Sequence, residues 1–178
     1  MILLQGRFIY LATPATASRS TASVLVEQGG KFLAGTHHAN LPDMPILKEY
    51  SEPVYSLLRD PYDYVLAQYY YQNPEPEKQA LTSLEAFVPQ YGAENRDSPF
   101  GSIMAMYRDY VDMYFIYEDG IKAFFDAVGL PDVTIPELGR RVSRMRGPRQ
   151  PISPTVKELI EMHFAKEIEL YKNVSDSA

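Results

Sequence analysis

A short run of small and hydroxyl side chains, residues 14–21, carries residue types that could bind an anion. Its hydroxyl donors are Thr16, Ser18, Ser20 and Thr21, and its one cation is Arg19. The run lies between an apolar, β-prone segment and a segment that ends at two glycines. A strand–loop–helix unit directs free backbone N–H groups and the positive end of the helix dipole at one place. The pattern predicts a seat for a phosphate or phosphosulfate group, with an ordinary βα turn as the alternative.

The elements that must position this run are a strand at Phe8–Leu11 and a helix that stops at Gly29-Gly30. A second apolar run, Val54–Leu58, is typical of a central strand. It leads to Arg59-Asp60-Pro61, where Pro suits the first turn of a helix that Asp60 caps. That helix is predicted to continue to about Gln72.

The rest of the chain continues the alternation of strands and helices. The pattern predicts short strands at 31–33 and 113–117, helices at 83–90, 103–110 and 120–128, and one last helix from Ser153-Pro154. His163 lies on the apolar face of that last helix and is interpreted as a packed side chain. Strands that alternate with helices indicate an α/β fold with a parallel sheet. Without repeats or a linker, we expect residues 1–178 to form one domain.

Arg59 follows the central strand directly, and ligands of open α/β sheets bind at the carboxyl ends of strands. An arginine at that edge can form a bidentate pair with phosphate. The alternative is an ion pair with Asp60 or Asp63. Glu118 follows the third strand and is interpreted as an acid that stabilises a helix N-terminus.

His37 and His38 form the pair of histidines in the chain that lies in a predicted loop. A histidine near its ordinary pKa can take a proton from a hydroxyl nucleophile. Metal binding and a purely structural role are the alternatives. Because neighbouring side chains point apart and no carboxylate is close in sequence, no metal site is predicted.

A basic segment follows at 140–149, with five Arg and no acid. Its members are Arg140, Arg141, Arg144, Arg146 and Arg149. Such a segment predicts either a clamp over a multiply charged ligand or a solvated flap.

Composition limits the classes of function. The net charge is −6, so a nucleic-acid partner is not expected. The chain has no Cys, which excludes disulfides and thiolate chemistry. No apolar run is long enough to span a membrane, and the N-terminus lacks a signal-peptide pattern. These features predict a cytoplasmic protein without a membrane partner, and they leave its oligomeric state open.

Taken in order, these motifs resemble the sulfotransferase family, in particular its small bacterial and carbohydrate-type members. The family loop resembles P-K-T-G-G-T-S, and this chain has Pro14, Ala15, Thr16, Ala17, Ser18, Arg19 and Ser20 there. The second family motif resembles V-R-D-P-Y-x-R-x-x-S-x-Y, and residues 58–69 are similar. His37-His38-Ala39-Asn40-Leu41 resembles a third segment, H-H-A-T-L.

The resemblance implies a P-loop-like three-layer sandwich whose central parallel sheet is flanked by helices. It implies 3′-phosphoadenosine 5′-phosphosulfate (PAPS) as donor and adenosine 3′,5′-bisphosphate as product. Residues 14–21 would hold the 5′-phosphosulfate. Arg59 and part of the basic segment, with Arg144 and Arg146, would hold the 3′-phosphate, near Ala67. His37 or His38, with Arg19, would act on a hydroxyl or amine of a small molecule or carbohydrate.

Two positions depart from the family pattern. Ala15 stands where the family has its loop Lys, and Ala67 stands where it has a Ser that contacts the 3′-phosphate. Loss of a cation at a developing negative charge costs orders of magnitude in rate. The alternative function is therefore a catalytically impaired nucleotide-binding protein. A P-loop kinase is disfavoured because no G-x-x-x-x-G-K-[ST] motif is present.

Overall fold

The computed structural model describes residues 1–34, 41–72, 83–96, 107–136 and 151–177, and gives the backbone alone for 41–43 and 95–96. The strands in this part are β1 (Ile2–Leu4), β2 (Phe8–Tyr10), β3 (Lys31–Phe32), β4 (Val54–Leu58) and β5 (Met113–Ile116). The α-helices are α1 (Ser18–Glu27), α2 (Pro61–Gln72), α3 (Leu84–Arg96), α4 (Ile121–Ala127), α5 (Pro154–His163) and α6 (Ala165–Ser175). Three 3₁₀ segments are Leu41–Glu49, Arg108–Tyr110 and Tyr117–Asp119.

The five strands form one mixed sheet in the order β3-β1-β2-β4-β5. β2, β4 and β5 run parallel, so their carboxyl ends meet at one edge, which we call the carboxyl edge. β1 runs antiparallel to both of its neighbours, β2 and β3. The predicted α/β class is confirmed. The sheet is not entirely parallel, because a hairpin adds β1 beside β2.

That hairpin was not predicted, although its signal is visible. The turn at residues 5–7 closes with a hydrogen bond from the Arg7 N–H to the Leu4 carbonyl, 2.9 Å long. Gly6 takes φ 71°, a left-handed conformation that glycine adopts without strain. The interruption of the first apolar run at Gly6 is thus a strand-reversing turn.

Side-chain alternation along β2 covers both faces of the sheet. Phe8 and Tyr10 pack on one face with α1 and α4, where Phe124 and Phe125 are fully buried. Ile9 lies on the opposite face with a second cluster. That cluster includes Met1, Leu11, Met44, Leu47, Val54 and Tyr107.

A third cluster joins α2, α3, α5 and α6. A Cβ placed on Gly92 in α3 would lie 2.9 Å from the His163 Cβ, so glycine permits the close crossing of α3 and α5. His163 is half-buried against this helix, in agreement with its interpretation as a packed side chain.

The predicted β4 and α2 are confirmed, including the cap: Asp60 Oδ1 accepts from the N–H groups of Tyr62 and Asp63. Two predictions were wrong about the extent of a helix. The last helix is broken at Phe164, whose φ of −123° is not helical, and its ring is buried against Tyr91. α3 continues to residue 96 because packing on α5 overrides Pro89 and Gly92. Of the helix predicted at 103–110, residues 103–106 lie outside the described residues, and 108–110 are 3₁₀.

Candidate functional site

The loop between β2 and α1 holds two alanines in a left-handed conformation. Ala15 has φ 60° and Ala17 has φ 52°. For a residue with a Cβ, this conformation costs about 1–2 kcal/mol. Strain of this kind persists where the surroundings over-determine it, and it clusters at functional sites.

Hydroxyl groups from the sheet and the loop brace this strained segment. The Thr13 hydroxyl donates to the Leu57 carbonyl (2.5 Å), and the Ser56 hydroxyl donates to the Leu11 carbonyl (2.7 Å). The Thr16 hydroxyl donates to the Thr13 carbonyl (2.7 Å). All three side chains are fully buried. These bonds continue the pairing of β2 and β4 past the end of the strand and fix the course of the loop.

Two hydroxyls that were predicted to face an anion are therefore used inside the loop. A hydroxyl carries one proton, and that of Thr16 is bound to the Thr13 carbonyl. The Thr21 hydroxyl donates to the Ala17 carbonyl at 3.3 Å. Ser18 and Ser20 are also buried, whereas Arg19 is exposed and forms no ion pair within the described residues.

The backbone N–H groups of the loop are the donors that remain available for an anion. Those of residues 15–18 make no hydrogen bond to any described residue. Ala17, the N-cap of α1, provides no side-chain cap, and the first turn of α1 contains no acid. The helix N-terminus thus keeps its partial positive charge, and such an N-terminus preceded by a left-handed turn suits an anion.

Arg59 connects the end of β4 to this loop. Its Nη1 donates to the Ala15 carbonyl at 2.7 Å, and its Nη2 lies 3.4 Å from Asp63 Oδ2. The guanidinium carbon lies 5.1 Å from the centroid of the Tyr117 ring. The ion-pair alternative for Arg59 is therefore present, but it uses only part of the guanidinium.

The Nε of Arg59 is buried and has no hydrogen-bond partner among the described residues. The side chain is 7% exposed. Because a buried charged donor without a partner is costly, an acceptor bound at this atom would be stabilising.

Glu118 ties the ends of β4 and β5 together at the same edge. Its Oε1 accepts from the Asp60 N–H (3.1 Å), and its Oε2 accepts from the Tyr171 hydroxyl (3.3 Å). Burial, followed by the nearby charge of Glu118, raises the pKa of Tyr171 to about 12. The Glu118 carboxylate thus contacts the residue before α2, and the Tyr171 hydroxyl connects α6 to the same carboxylate.

Tyr10 lies beneath the loop and was not among the residues predicted from the sequence. Its side chain is fully buried, and its hydroxyl has no hydrogen bond of ordinary geometry within the described part of the chain. Burial raises the pKa of this hydroxyl well above its usual value, and the hydroxyls of Thr16 and Thr21 partly offset the increase. A tyrosine in an otherwise apolar strand was the available signal.

The structure brings the run 14–21 and Arg59 into direct contact through the Ala15 carbonyl. That both bind one nucleotide stays a prediction. Ala67 is buried in α2, and its methyl group provides no hydrogen bond to a phosphate. His37, His38, Arg144 and Arg146 lie outside the described residues, so their roles remain predictions.

Two grooves, of about 500 and 470 Å³, lie at the opposite edge of the sheet, where β4 and β5 begin; we call it the amino edge. Within the described ranges, no group of three acidic or histidine side chains is arranged to hold a metal ion. In the same ranges no helix is long and apolar enough to cross a membrane.

Comparison with known proteins identifies no relative of this chain. No protein-family model, curated protein or solved structure matches the sequence. The assignment of a function to the site therefore depends on its residues and their arrangement.

Proposed function

We propose that this chain binds PAPS at the carboxyl edge and transfers its sulfuryl group to a hydroxyl or amine of a small molecule or carbohydrate. One observation carries the proposal: unpaired N–H groups of residues 15–18 lie beside the buried, partly unpaired guanidinium of Arg59. Both features offer donors to an anion, and they meet at the Ala15 carbonyl. The proposal also includes a P-loop-like sandwich fold and a cytoplasmic location.

In the proposed reaction, an acceptor oxygen or nitrogen forms a bond to sulfur while the bond from sulfur to the phosphate oxygen breaks. The acceptor proton passes to His37 or His38, and adenosine 3′,5′-bisphosphate leaves. The loop N–H groups and the α1 dipole stabilise the negative charge that develops on the leaving phosphate. Catalysis in such a displacement is mainly positioning and charge neutralisation.

Arg59 lies close to the position at which the sulfotransferase family has its loop Lys. Its Nη1 contacts the carbonyl of Ala15, the residue that stands in place of the family Lys. Arg59 thus supplies positive charge at the point where the loop itself has none. In this proposal it acts together with Arg19, while Arg144 and Arg146 contact the 3′-phosphate.

A catalytically impaired nucleotide-binding protein is the second candidate, and one observation favours it. Arg59 is already engaged by the Ala15 carbonyl and Asp63, and this arrangement stabilises the loop even without chemistry. The two candidates share the nucleotide and differ in turnover.

The test begins with calorimetric titration of adenosine 3′,5′-bisphosphate into the purified chain. We expect saturable binding that Arg59→Met weakens by about 100-fold, because it removes charged hydrogen bonds from a buried site. Arg7→Met is the matched control, since it removes the same group at the amino edge, and it should leave nucleotide affinity unchanged.

Turnover is measured separately, with sulfur-labelled PAPS and a panel of hydroxyl and amine acceptors. Transfer of label supports the sulfotransferase. Binding without transfer supports the impaired protein. No binding of the bisphosphate, or equal loss in both Arg variants, overturns the proposal.

A further inference from the structure

The larger groove at the amino edge has an aromatic floor. The rings of Phe8 and Tyr55 are stacked, with centroids 5.3 Å apart, and Phe115 meets Tyr55 edge to face at 5.7 Å. Met113 forms one wall and is 49% exposed. A volume of about 500 Å³ is within the range of small-molecule sites.

One cation lines this groove and is held in place. Arg7 Nη2 donates to the carbonyls of Val128 (2.7 Å) and Gly129 (3.1 Å) at the C-terminal end of α4. Gly129 has φ 73°, and a Cβ there would lie 3.1 Å from Arg7 Nη2, so a glycine makes room for the guanidinium. The Nε and Nη1 groups of Arg7 make no hydrogen bond, and the side chain has no acidic partner, within the described residues.

We propose that this groove binds an aromatic monocarboxylate. The flat apolar body packs on the half-buried rings of Tyr55 and Phe115, and the carboxylate accepts from the remaining N–H groups of Arg7. Offset and edge-on contacts between rings favour a planar aromatic ligand. A guanidinium with adjacent free donors favours a carboxylate.

The charges around the groove favour a ligand with one negative charge over a ligand with several. Among the described residues that line the groove, Arg7 is the one cation, and part of it is used by two carbonyls at the negative end of α4. A nucleotide with two or more phosphates would leave most of its charge uncompensated here. This second site is therefore distinct in chemistry from the carboxyl edge, and it does not depend on the proposed transferase.

The experiment titrates 2-naphthoate into the full chain and follows ligand fluorescence, which is readable because the protein contains no Trp. The uncharged 2-naphthamide is the comparison probe. We expect saturable binding of 2-naphthoate with a Kd of about 1 mM or below. Arg7→Met should weaken 2-naphthoate by about tenfold or more and leave 2-naphthamide unchanged.

A second variant keeps the test valid if Arg7→Met is unstable. Met113→Glu places a negative charge on the exposed wall and should also weaken 2-naphthoate, whereas Met162→Glu, 67% exposed on α5, should not. The proposal is overturned if 2-naphthoate does not saturate, or if its affinity is the same in the wild type, Arg7→Met and Met113→Glu.

Discussion

The two edges of the sheet each hold an arginine beside a left-handed residue, but they are built differently. At the amino edge Arg7 is exposed, and its left-handed neighbour is Gly129. At the carboxyl edge Arg59 is buried, and its left-handed neighbour Ala15 carries a Cβ. Ala15 and Ala17 are the only left-handed residues with a side chain in the described ranges. The remaining left-handed residues there are glycines: Gly6, Gly29, Gly120 and Gly129.

The difference shows where conformational strain is concentrated. Turns that only reverse the chain use glycine and carry little strain. The loop at the carboxyl edge keeps two strained alanines and an unpaired buried Nε, and it is held by buried hydroxyl bonds. Because the carboxyl edge is strained and buried and the amino edge is not, variants that alter strain or charge should affect the two edges differently.

The largest expected effect comes from restoring the cation of the loop. Ala15→Lys should raise sulfuryl transfer by about 100-fold, because a positive charge then faces the leaving phosphate. Position 15 is already left-handed with a Cβ, so the backbone strain hardly changes. The measurement is initial rate with labelled PAPS.

Ala127→Lys is the control, since it adds the same charge on an exposed residue of the amino-edge groove. Its rate should equal that of the wild type. An unchanged rate in Ala15→Lys would mean that Arg59 or Arg19 already supplies the required charge.

A buried carboxyl group in the helical cluster should make the free energy of unfolding depend on pH. Glu167 in α6 is 4% exposed, its Oε1 has no partner among the described residues, and burial raises its pKa above 4.5. The folded state therefore binds this proton more tightly than the unfolded state. The contribution of Glu167 to the free energy of unfolding is therefore most favourable below pH 4.5, and it declines as the pH rises toward the raised pKa of the folded state.

Glu167→Gln should accordingly increase the free energy of unfolding at pH 7 by about 1–2 kcal/mol and flatten its dependence on pH. Urea unfolding between pH 4 and pH 8 measures this, with the exposed Glu169→Gln as control. A steeper pH dependence in Glu167→Gln would contradict the assignment.

Exchanging residue types between the two edges tests the strain directly. Ala17→Gly should stabilise the fold by about 1 kcal/mol, because it relieves a left-handed Cβ at a cost in chain entropy. Gly129→Ala should destabilise it by a similar amount, since it adds that strain and crowds Arg7. Thermal melts of both variants provide the comparison, and a destabilised Ala17→Gly would mean that the Ala17 methyl group is needed for packing.

The smallest effect is expected where α6 meets the carboxyl edge. Tyr171→Phe removes the donor to Glu118 and should cost about 0.5–1 kcal/mol. Tyrosinate absorbance should also lose one group that titrates near pH 12, while Tyr62, whose pKa burial and then Glu161 raise to about 12, remains. If the lost group instead titrates near the ordinary tyrosine pKa of about 10, the contact with Glu118 is contradicted.

Local patterns along the chain were sufficient to predict much of this molecule. The run Phe8–Leu11, the central strand Val54–Leu58 and the cap of α2 at Asp60 follow from short-range periodicity and capping chemistry. The choice of residues 14–21 and Arg59 as neighbours followed from the rule that parallel strands end at one edge. Such features depend on residues that are close in sequence or on topology that is nearly universal.

Long-range packing decided the rest. That the Thr13 hydroxyl binds the Leu57 carbonyl, that Arg59 binds the Ala15 carbonyl and that Tyr10 is buried below the loop all depend on contacts between distant segments. The break at Phe164 and the left-handed alanines also run against local propensity. The sequence determined which elements form and in what order, whereas the tertiary structure decided which donors stay unpaired, because burial and competition for acceptors exist only once the elements are packed.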